Sequence, residues 1–197
     1  MPRHDLSSPG VTDVRFCRVA GAPRIGAVRG SLMRVESVLT LGLVPVRLPA
    51  VVVAGGRRAE RRFLDFLVGG QQLGRLVAER VRLVDLANAY ASVLVTNWPA
   101  GFDAQAVRQL LGQDRSPLPD GRIPLYVCAE YGGLGCGTIT AVIERASHAV
   151  TWHSLGRQTD YDPFVDEEPF EDLGPFCFSA ASYDTLLKSL IAGHATP

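Results

Sequence analysis

Apolar runs broken by proline predict the first strands of the chain. Residues 35–54 are rich in β-branched side chains and are interrupted by Pro45 and Pro49. This pattern predicts two or three short strands with an edge position near the prolines, because proline cannot donate a backbone hydrogen bond to a neighbouring strand. Apolar and polar side chains alternate over 62–68, and residues 90–98 are again mainly apolar. We predict one strand in each of these two segments.

The second half of the chain predicts three further strands. Residues 122–130 form an apolar run that leads into a glycine-rich stretch. Residues 138–145 and 149–155 follow, and only residues 146–148 separate them. Such a short link between two strand-like segments predicts a β-hairpin.

Apolar residues at helical spacing predict three helices. The segments are 73–81, 102–112 and 179–193. We expect Asp103 to be the N-cap of the second helix and Gly112 to be its C′ residue, because these residue types satisfy or tolerate the backbone geometry of helix ends. Consecutive strands with short links, followed by a last helix, indicate an α+β fold: a largely antiparallel sheet with about three helices packed on it.

The composition is that of a globular protein. The chain has 197 residues, of which 47% are hydrophobic and 20% are charged, so one domain can bury a substantial core. Residues 1–10 and the Gly/Pro/Arg stretch 21–30 have low apolar content. We therefore predict an N-terminal arm over 1–34, partly disordered or strand-like, and a single α+β domain over 35–197.

Charge and hydropathy restrict the classes of partner. The formal net charge is zero, which argues against a nucleic-acid-binding protein. The most apolar window, 35–56, contains Glu36, Arg47 and two prolines, so buried strands explain it better than a membrane helix. The first 30 residues lack the apolar stretch of a secretory signal. We expect a cytoplasmic protein with reduced thiols and without membrane contact.

The charges are unevenly distributed along the chain. Residues 1–62 contain 11 Arg and four acidic residues, whereas 159–172 contains seven acidic residues and no basic one. The acidic segment is either a solvated loop or a docking surface for a protein partner with a basic surface. Its aromatic side chains favour docking, because aromatic residues anchor protein interfaces. The candidate binding residues are Asp160, Tyr161, Asp162, Phe164, Asp166, Glu167, Glu168, Phe170, Glu171 and Asp172.

The glycine-rich stretch 124–138 carries two of the four cysteines, Cys128 and Cys136. Zinc sites commonly present cysteines as C-x-x-C pairs, but Tyr131 occupies the position of the second cysteine here. A metal site at Cys128 and Cys136 would need further ligands from elsewhere in the chain. Otherwise the two residues are small apolar side chains beside a tight turn, which is how free cysteine commonly behaves.

A reactive thiol is the second chemical hypothesis. Cys128 or Cys136 would be the nucleophile or redox group, and His153 on the hairpin would assist it. The chain has no G-x-S-x-G motif, no phosphate-binding loop motif and no EF-hand calcium loop, and 55–62 is a short basic turn. We expect no cofactor.

The second half of the chain resembles a group of small, largely uncharacterised actinobacterial proteins. Their shared pattern is a C-x-x-C-G-x-x-G-C-G turn, a hairpin carrying V-x-W, and a late G-P-F-x-F-x-x-x-x-Y before a final helix. The matching residues here are Cys128, Gly132, Gly135, Cys136, Gly137, Trp152, Gly174, Pro175, Phe176, Phe178 and Tyr183. The resemblance covers about residues 62–192. It implies a fold and a bacterial cytoplasmic setting, and it brings no established reaction.

The sequence therefore leads to a ranked set of functions. The first is a non-catalytic protein-binding module, either an immunity-type protein that neutralises a toxin or an adaptor. The alternatives are a thiol-dependent enzyme or redox protein using Cys128 and Cys136, and a degenerate zinc-binding domain.

Overall fold

The computed structural model describes residues 17–18, 34–35, 38–53, 56–81, 90–99 and 101–192. The predicted arm over 1–34 therefore lies outside the described residues, except for two short segments that pair with each other as antiparallel strands. The rest contains a five-stranded sheet, a three-stranded sheet, a further two-stranded pair and three described helices. The neighbouring strands in these sheets are antiparallel, which confirms the predicted α+β class.

In chain order the strands are β1 (Cys17–Arg18), β2 (Arg34–Val35), β3 (Leu41–Leu48), β4 (Val51–Val53), β5 (Gly56–Arg58), β6 (Arg61–Val68), β7 (Gln71–Gln72), β8 (Tyr90–Ser92), β9 (Ile123–Cys128), β10 (Thr138–Arg145), β11 (Ala149–Gln158) and β12 (Phe176–Ser179). The helices are α1 (Leu73–Val81), α2 (Phe102–Leu110) and α3 (Ala180–Ala192), and a 3₁₀ turn spans Glu168–Phe170. The three predicted helices and the β10–β11 hairpin are confirmed.

Single bridges join the two larger sheets at two places. The five-stranded sheet has the order β12-β11-β10-β9-β8, and the three-stranded sheet has the order β3-β6-β7. A bridge between Phe63 and Val95 connects β6 to the residues after β8, and a bridge between Leu39 and Phe178 connects the residue before β3 to β12. The bridges thus connect the two sheets, and the core contains apolar side chains from both sheets and from all three described helices.

Aromatic side chains fill the centre of that core. The Trp152 indole is fully buried and packs edge-to-face on Phe66 and Phe178, with ring centroids 5.2 Å apart in both cases. Its Nε1 donates to the Tyr183 hydroxyl at 3.2 Å, and that hydroxyl donates to the Leu110 carbonyl at 3.1 Å. These bonds satisfy the polar atoms of buried aromatic rings and connect α2 and α3 to β11. Burial raises the pKa of Tyr183 far above its ordinary value.

Helix α2 begins differently from the prediction. Its N-cap is Gly101, which has a φ of 94°, and Asp103 lies within the first turn. The Asp103 Oδ1 accepts a hydrogen bond of 2.9 Å from the Ala104 N–H. Asp103 as N-cap is therefore wrong, although its acidic side chain still lies near the positive end of the helix dipole. Gly112 follows the C-cap residue Leu111 with a φ of 69°, as predicted.

None of the described helices has the length and hydropathy needed to cross a lipid bilayer.

Candidate functional site

The glycine-rich stretch between β9 and β10 folds as two successive tight turns. The Gly132 N–H donates to the Cys128 carbonyl at 2.8 Å, and the Gly137 N–H donates to the Leu134 carbonyl at 3.0 Å. Gly132 and Gly137 have φ values of 68° and 95°, which glycine adopts without steric cost. The two turns bring Cys136 back to the end of β9, where Cys128 is the last residue.

Arg61 and Trp98 hold the first of these turns in place. The Arg61 guanidinium donates to the carbonyls of Ala129 and Glu130 at 2.7 and 2.9 Å, and it also lies 5.4 Å from the centroid of the Trp98 ring. A Cβ atom on Gly132 would be 2.8 Å from that ring. Part of the basic stretch 55–62 therefore supports the turn rather than binding a phosphate.

The second turn is equally close-packed. A Cβ atom on Gly137 would lie 2.9 Å from Arg157 Nε and 3.1 Å from the Tyr90 hydroxyl. Gly137 is thus required both by its positive φ and by the side chains that pass over it.

The structure brings the Cys128 and Cys136 side chains close enough to affect each other's ionisation. Cys128 is half-buried, Cys136 is exposed, and both are free thiols. Partial desolvation raises the pKa of Cys136, and the hydrogen bond to Cys128 and the charges of Cys128 and Glu130 raise it further. The Cys136 thiol is therefore protonated at neutral pH, which is the opposite of an activated nucleophile.

His153 does not join the two thiols. It pairs with Val142 across the hairpin, five residues along β10 from Gly137, which corresponds to about 16 Å. Its Nε2 lies 3.5 Å from Glu144 Oε1, and its Nδ1 lies 3.1 Å from Ser154 Oγ. The third member of the predicted thiol site is thus separated from the other two.

Cys177 differs from the two cysteines of the turn. It is disulfide-bonded, so the expectation of reduced thiols is wrong at this position. Disulfides persist mainly in oxidising compartments, and a cytoplasmic setting remains a prediction that this bond does not favour. Within the described part of the chain, no group of three or more His, Cys, Asp and Glu side chains is arranged to hold a metal ion.

The acidic segment 159–172 divides into two parts, of which the second, 166–172, is anchored. Asp166 and Arg157 exchange two backbone hydrogen bonds of 2.9 Å. The side chain of Phe170 lies in the core, and Asp172 forms an ion pair with Arg80. Much of this part is therefore committed to the fold, and Phe170 is not available to a partner at the surface.

A buried arginine fixes the anchored part to the sheet. The Arg122 guanidinium donates to Glu167 Oε1 at 2.8 Å and to Thr140 Oγ1 at 2.9 Å, and it also donates to the Ser154 carbonyl. Gly156 leaves room for this contact, since a Cβ atom there would lie 2.5 Å from Val165 Cγ1. Charge pairing and a glycine together seat the segment on the strands.

The first part, 160–164, projects into solvent. Tyr161 is 76% exposed and Phe164 is 69% exposed. The Asp162 Oδ1 accepts a hydrogen bond of 2.9 Å from the Phe164 N–H, which gives this tip a defined turn. A Cβ atom on Gly135 would lie 3.4 Å from Asp160 Oδ1, so the tip rests against the glycine-rich turn.

Two further residues lie in the turn that the tip contacts through Gly135. Tyr131 is 73% exposed, and a hydrogen bond to Glu130 raises the pKa of its hydroxyl. We call this combined region the aromatic–acidic surface; it consists of Glu130, Tyr131, Asp160, Tyr161, Asp162 and Phe164. The sequence predicts the part in the acidic segment but not the part in the turn, because the adjacency depends on a long-range contact.

Sequence reasoning also missed a polar group inside the protein. The carboxyl of Asp65, on β6, is 2% exposed and accepts hydrogen bonds from the Tyr126 hydroxyl at 2.5 Å, from Gln72 Nε2 at 2.8 Å and from the Phe66 N–H at 2.8 Å. Burial, followed by the charge and hydrogen bond of Asp65, raises the pKa of Tyr126 well above its ordinary value. The sequence feature that could have indicated this buried group is an aspartate within a largely apolar strand.

Comparison of this chain with protein-family models, with curated proteins and with solved structures gave no match.

Proposed function

We propose that this protein is a non-catalytic binding module that docks a protein partner through the aromatic–acidic surface. The observation that carries the proposal is the exposure of three large aromatic side chains, Tyr131, Tyr161 and Phe164, beside carboxylates. Exposed aromatic residues are enriched among the residues that dominate binding energies in protein interfaces. An immunity-type antagonist of a toxin and an adaptor are the two concrete forms of such a module.

The charges of this surface define the chemistry of the partner. Asp160 and Asp162 are exposed, and the ion pairs found among the described residues do not include them. A partner with arginine or lysine around an apolar pocket would pair with these carboxylates while accepting the rings of Tyr161 and Phe164. Complementary charge of this kind raises association rates and selects among partners.

The anchored part of the acidic segment supports the proposal by holding the tip in place. The backbone bridge between Arg157 and Asp166 and the ion pair between Arg122 and Glu167 begin directly after the tip. A tip held in this way loses little conformational entropy when a partner binds, and this increases affinity.

The chemistry of the thiols supports a binding role over thiol catalysis. The pKa of Cys136 is raised rather than lowered, and His153 lies in the middle of the hairpin, opposite Val142 and away from the thiols. A nucleophilic thiol requires a stabilised thiolate with an adjacent base or cation.

The test is a comparison of variants in cells of the native host. The double variant Tyr161→Ala/Phe164→Ala removes the exposed rings, and Val52→Ala, at an 87% exposed residue of β4, is the matched control. A partner recovered in stoichiometric amount with the wild type and with Val52→Ala is expected to be lost with the double variant. With purified partner, we expect the double variant to weaken affinity about tenfold or more.

The charge component has its own measurement. Asp160→Asn/Asp162→Asn is expected to lower the association rate and to reduce its dependence on salt, because screening acts on charge steering. The proposed function would be contradicted if no recovered protein required Tyr161 and Phe164 for its binding.

A further inference from the structure

The two free thiols of the glycine-rich turn lie close to each other. Cys128 ends β9, and Cys136 lies two residues before β10 begins. Ile139 pairs with Tyr126, and the Thr138 hydroxyl donates to the Tyr126 carbonyl at 2.6 Å, so the residues just before β10 are held beside the end of β9. The Cys128 and Cys136 side chains are close enough there to interact. A disulfide needs such proximity, with Cα atoms about 4.4–6.8 Å apart.

We propose that Cys128 and Cys136 form a reversible intramolecular disulfide by exchange with a low-molecular-weight disulfide. The inference rests on the strand pairing that holds Cys136 beside the end of β9, on the interaction between the two thiols, on their free state, and on the exposure of Cys136. An exposed Cys136 can meet a small disulfide from solvent, and the half-buried Cys128 is already in position to react second.

The exchange has two balanced steps. The thiolate of Cys136 attacks one sulfur of the small disulfide, which forms a mixed disulfide and releases one small thiolate. The thiolate of Cys128 then attacks Cys136 Sγ, which forms the Cys128–Cys136 bond and releases the second small thiolate. The protein loses two hydrogen atoms and is oxidised, while the small disulfide is reduced and its two thiolates take up the two protons.

The raised pKa of Cys136 sets the rate of this exchange. Since the thiolate is the attacking species, oxidation is slow at neutral pH and accelerates as the pH rises towards the pKa of Cys136. The pair therefore responds to sustained oxidation rather than acting as a rapid catalyst.

The new bond would act on the aromatic–acidic surface. Glu130 and Tyr131 lie between the two cysteines in the chain, and Gly135 rests against Asp160 and Tyr161. Joining the sulfur atoms shortens their separation to about 2.05 Å, which moves the turn relative to the tip. We expect the oxidised protein to bind its partner about tenfold more weakly, the size of a typical coupling between two sites, and this consequence rests on the proposed function.

The test of the bond itself needs no partner. The folded protein is equilibrated in mixtures of oxidised and reduced glutathione, free thiols are trapped by alkylation, and intact and peptide masses are measured. The wild type is expected to lose two hydrogen atoms and to yield a cross-linked peptide joining Cys128 to Cys136, and excess reduced glutathione should restore both thiols.

Two single variants locate the order of the steps. Cys128→Ser is expected to stop at a mixed disulfide with glutathione on Cys136, and Cys136→Ser is expected to react more slowly because Cys128 is half-buried. A wild type that accumulates the mixed disulfide, or that shows no cross-link at the most oxidising ratio, would overturn the proposal.

Partner binding is measured separately on the oxidised and reduced forms. Equal affinity of both forms, with the cross-link present, would refute the coupling while leaving the disulfide and the proposed function intact. Absence of any partner would count against the proposed function alone.

Discussion

The protein contains two carboxyl–tyrosine pairs in opposite environments. Asp65 and Tyr126 are buried between β6 and β9, and the carboxyl group also accepts hydrogen bonds from Gln72 and from the backbone. Glu130 and Tyr131 lie in the glycine-rich turn, where the tyrosine ring is exposed. The chemical partners are similar, but only the inner pair is shielded from water.

This difference in burial assigns the two pairs different roles. A buried hydrogen-bonded group is costly to disrupt, because any partner left behind cannot bond to water. An exposed pair contributes little to stability, since water replaces either partner. We therefore regard the inner pair as part of the framework and the outer pair as part of a surface that other molecules can reach.

The largest expected effect is the loss of the inner carboxyl group. Asp65→Ala leaves the buried Tyr126 hydroxyl and the half-buried Gln72 amide without their acceptor, and we expect the free energy of unfolding to fall by about 3 kcal/mol. Glu130→Ala is the matched control and should change it by less than about 0.5 kcal/mol. Urea unfolding curves of the two variants measure both changes. Equal effects of the two substitutions would contradict the different roles that we assign to the buried and the exposed pair.

The second prediction concerns the support beneath the outer pair. Gly132→Ala places a Cβ atom against the Trp98 ring at a φ of 68°, and we expect a loss of about 2 kcal/mol from strain and overpacking. Gly133→Ala is the neighbouring control, since a Cβ atom there meets no heavy atom within 4 Å. Unfolding curves measure the free energy of unfolding of both variants. A Gly132→Ala variant as stable as the wild type would show that the Trp98 ring moves aside without cost.

Local periodicity predicts the regular elements well. The three helices and the β10–β11 hairpin follow from spacing and turn length, which are properties of short segments. The sequence does not predict strand β12. This strand has only four residues, and α3 follows it directly, so no turn marks its end. The glycine at the start of α2 was missed because the preferred cap residue Asp103 lies two positions further on.

The candidate site depends on contacts between distant residues, which the sequence predicts less well. The alternation in β6 places Asp65 on one face, but it does not show that residues on both faces are buried. The glycines predict a turn, whereas the distance from His153 to the thiols depends on strand register. Likewise, the uniform composition of 159–172 conceals the division created by Arg122 and Arg80.

The smallest expected effect is a difference in how the two tyrosines titrate. The folded-state pKa values of Tyr126 and Tyr131 are both raised above the ordinary value of 10.0. Below that pH both tyrosines are protonated and contribute to the stability of the folded state. This contribution to stability is lost as the pH rises through the raised pKa values. For Tyr126 burial is the main cause, and we expect it to ionise only as the protein unfolds. For Tyr131 the main cause is the hydrogen bond to Glu130, and we expect it to ionise in the folded protein.

Tyrosinate absorbance, followed together with circular dichroism during an alkaline titration, separates these two events. Subtracting the curve of Tyr131→Phe isolates the outer residue, and Glu130→Gln should shift its ionisation to lower pH because the negative charge is removed. Tyr126→Phe should leave the early ionisation unchanged and alter only the phase that coincides with unfolding. If Glu130→Gln leaves the pH of the early ionisation unchanged, Glu130 is not the cause of the raised pKa of Tyr131. The comparison between the two pairs would then be wrong for the exposed pair, and the result for the buried pair would stand.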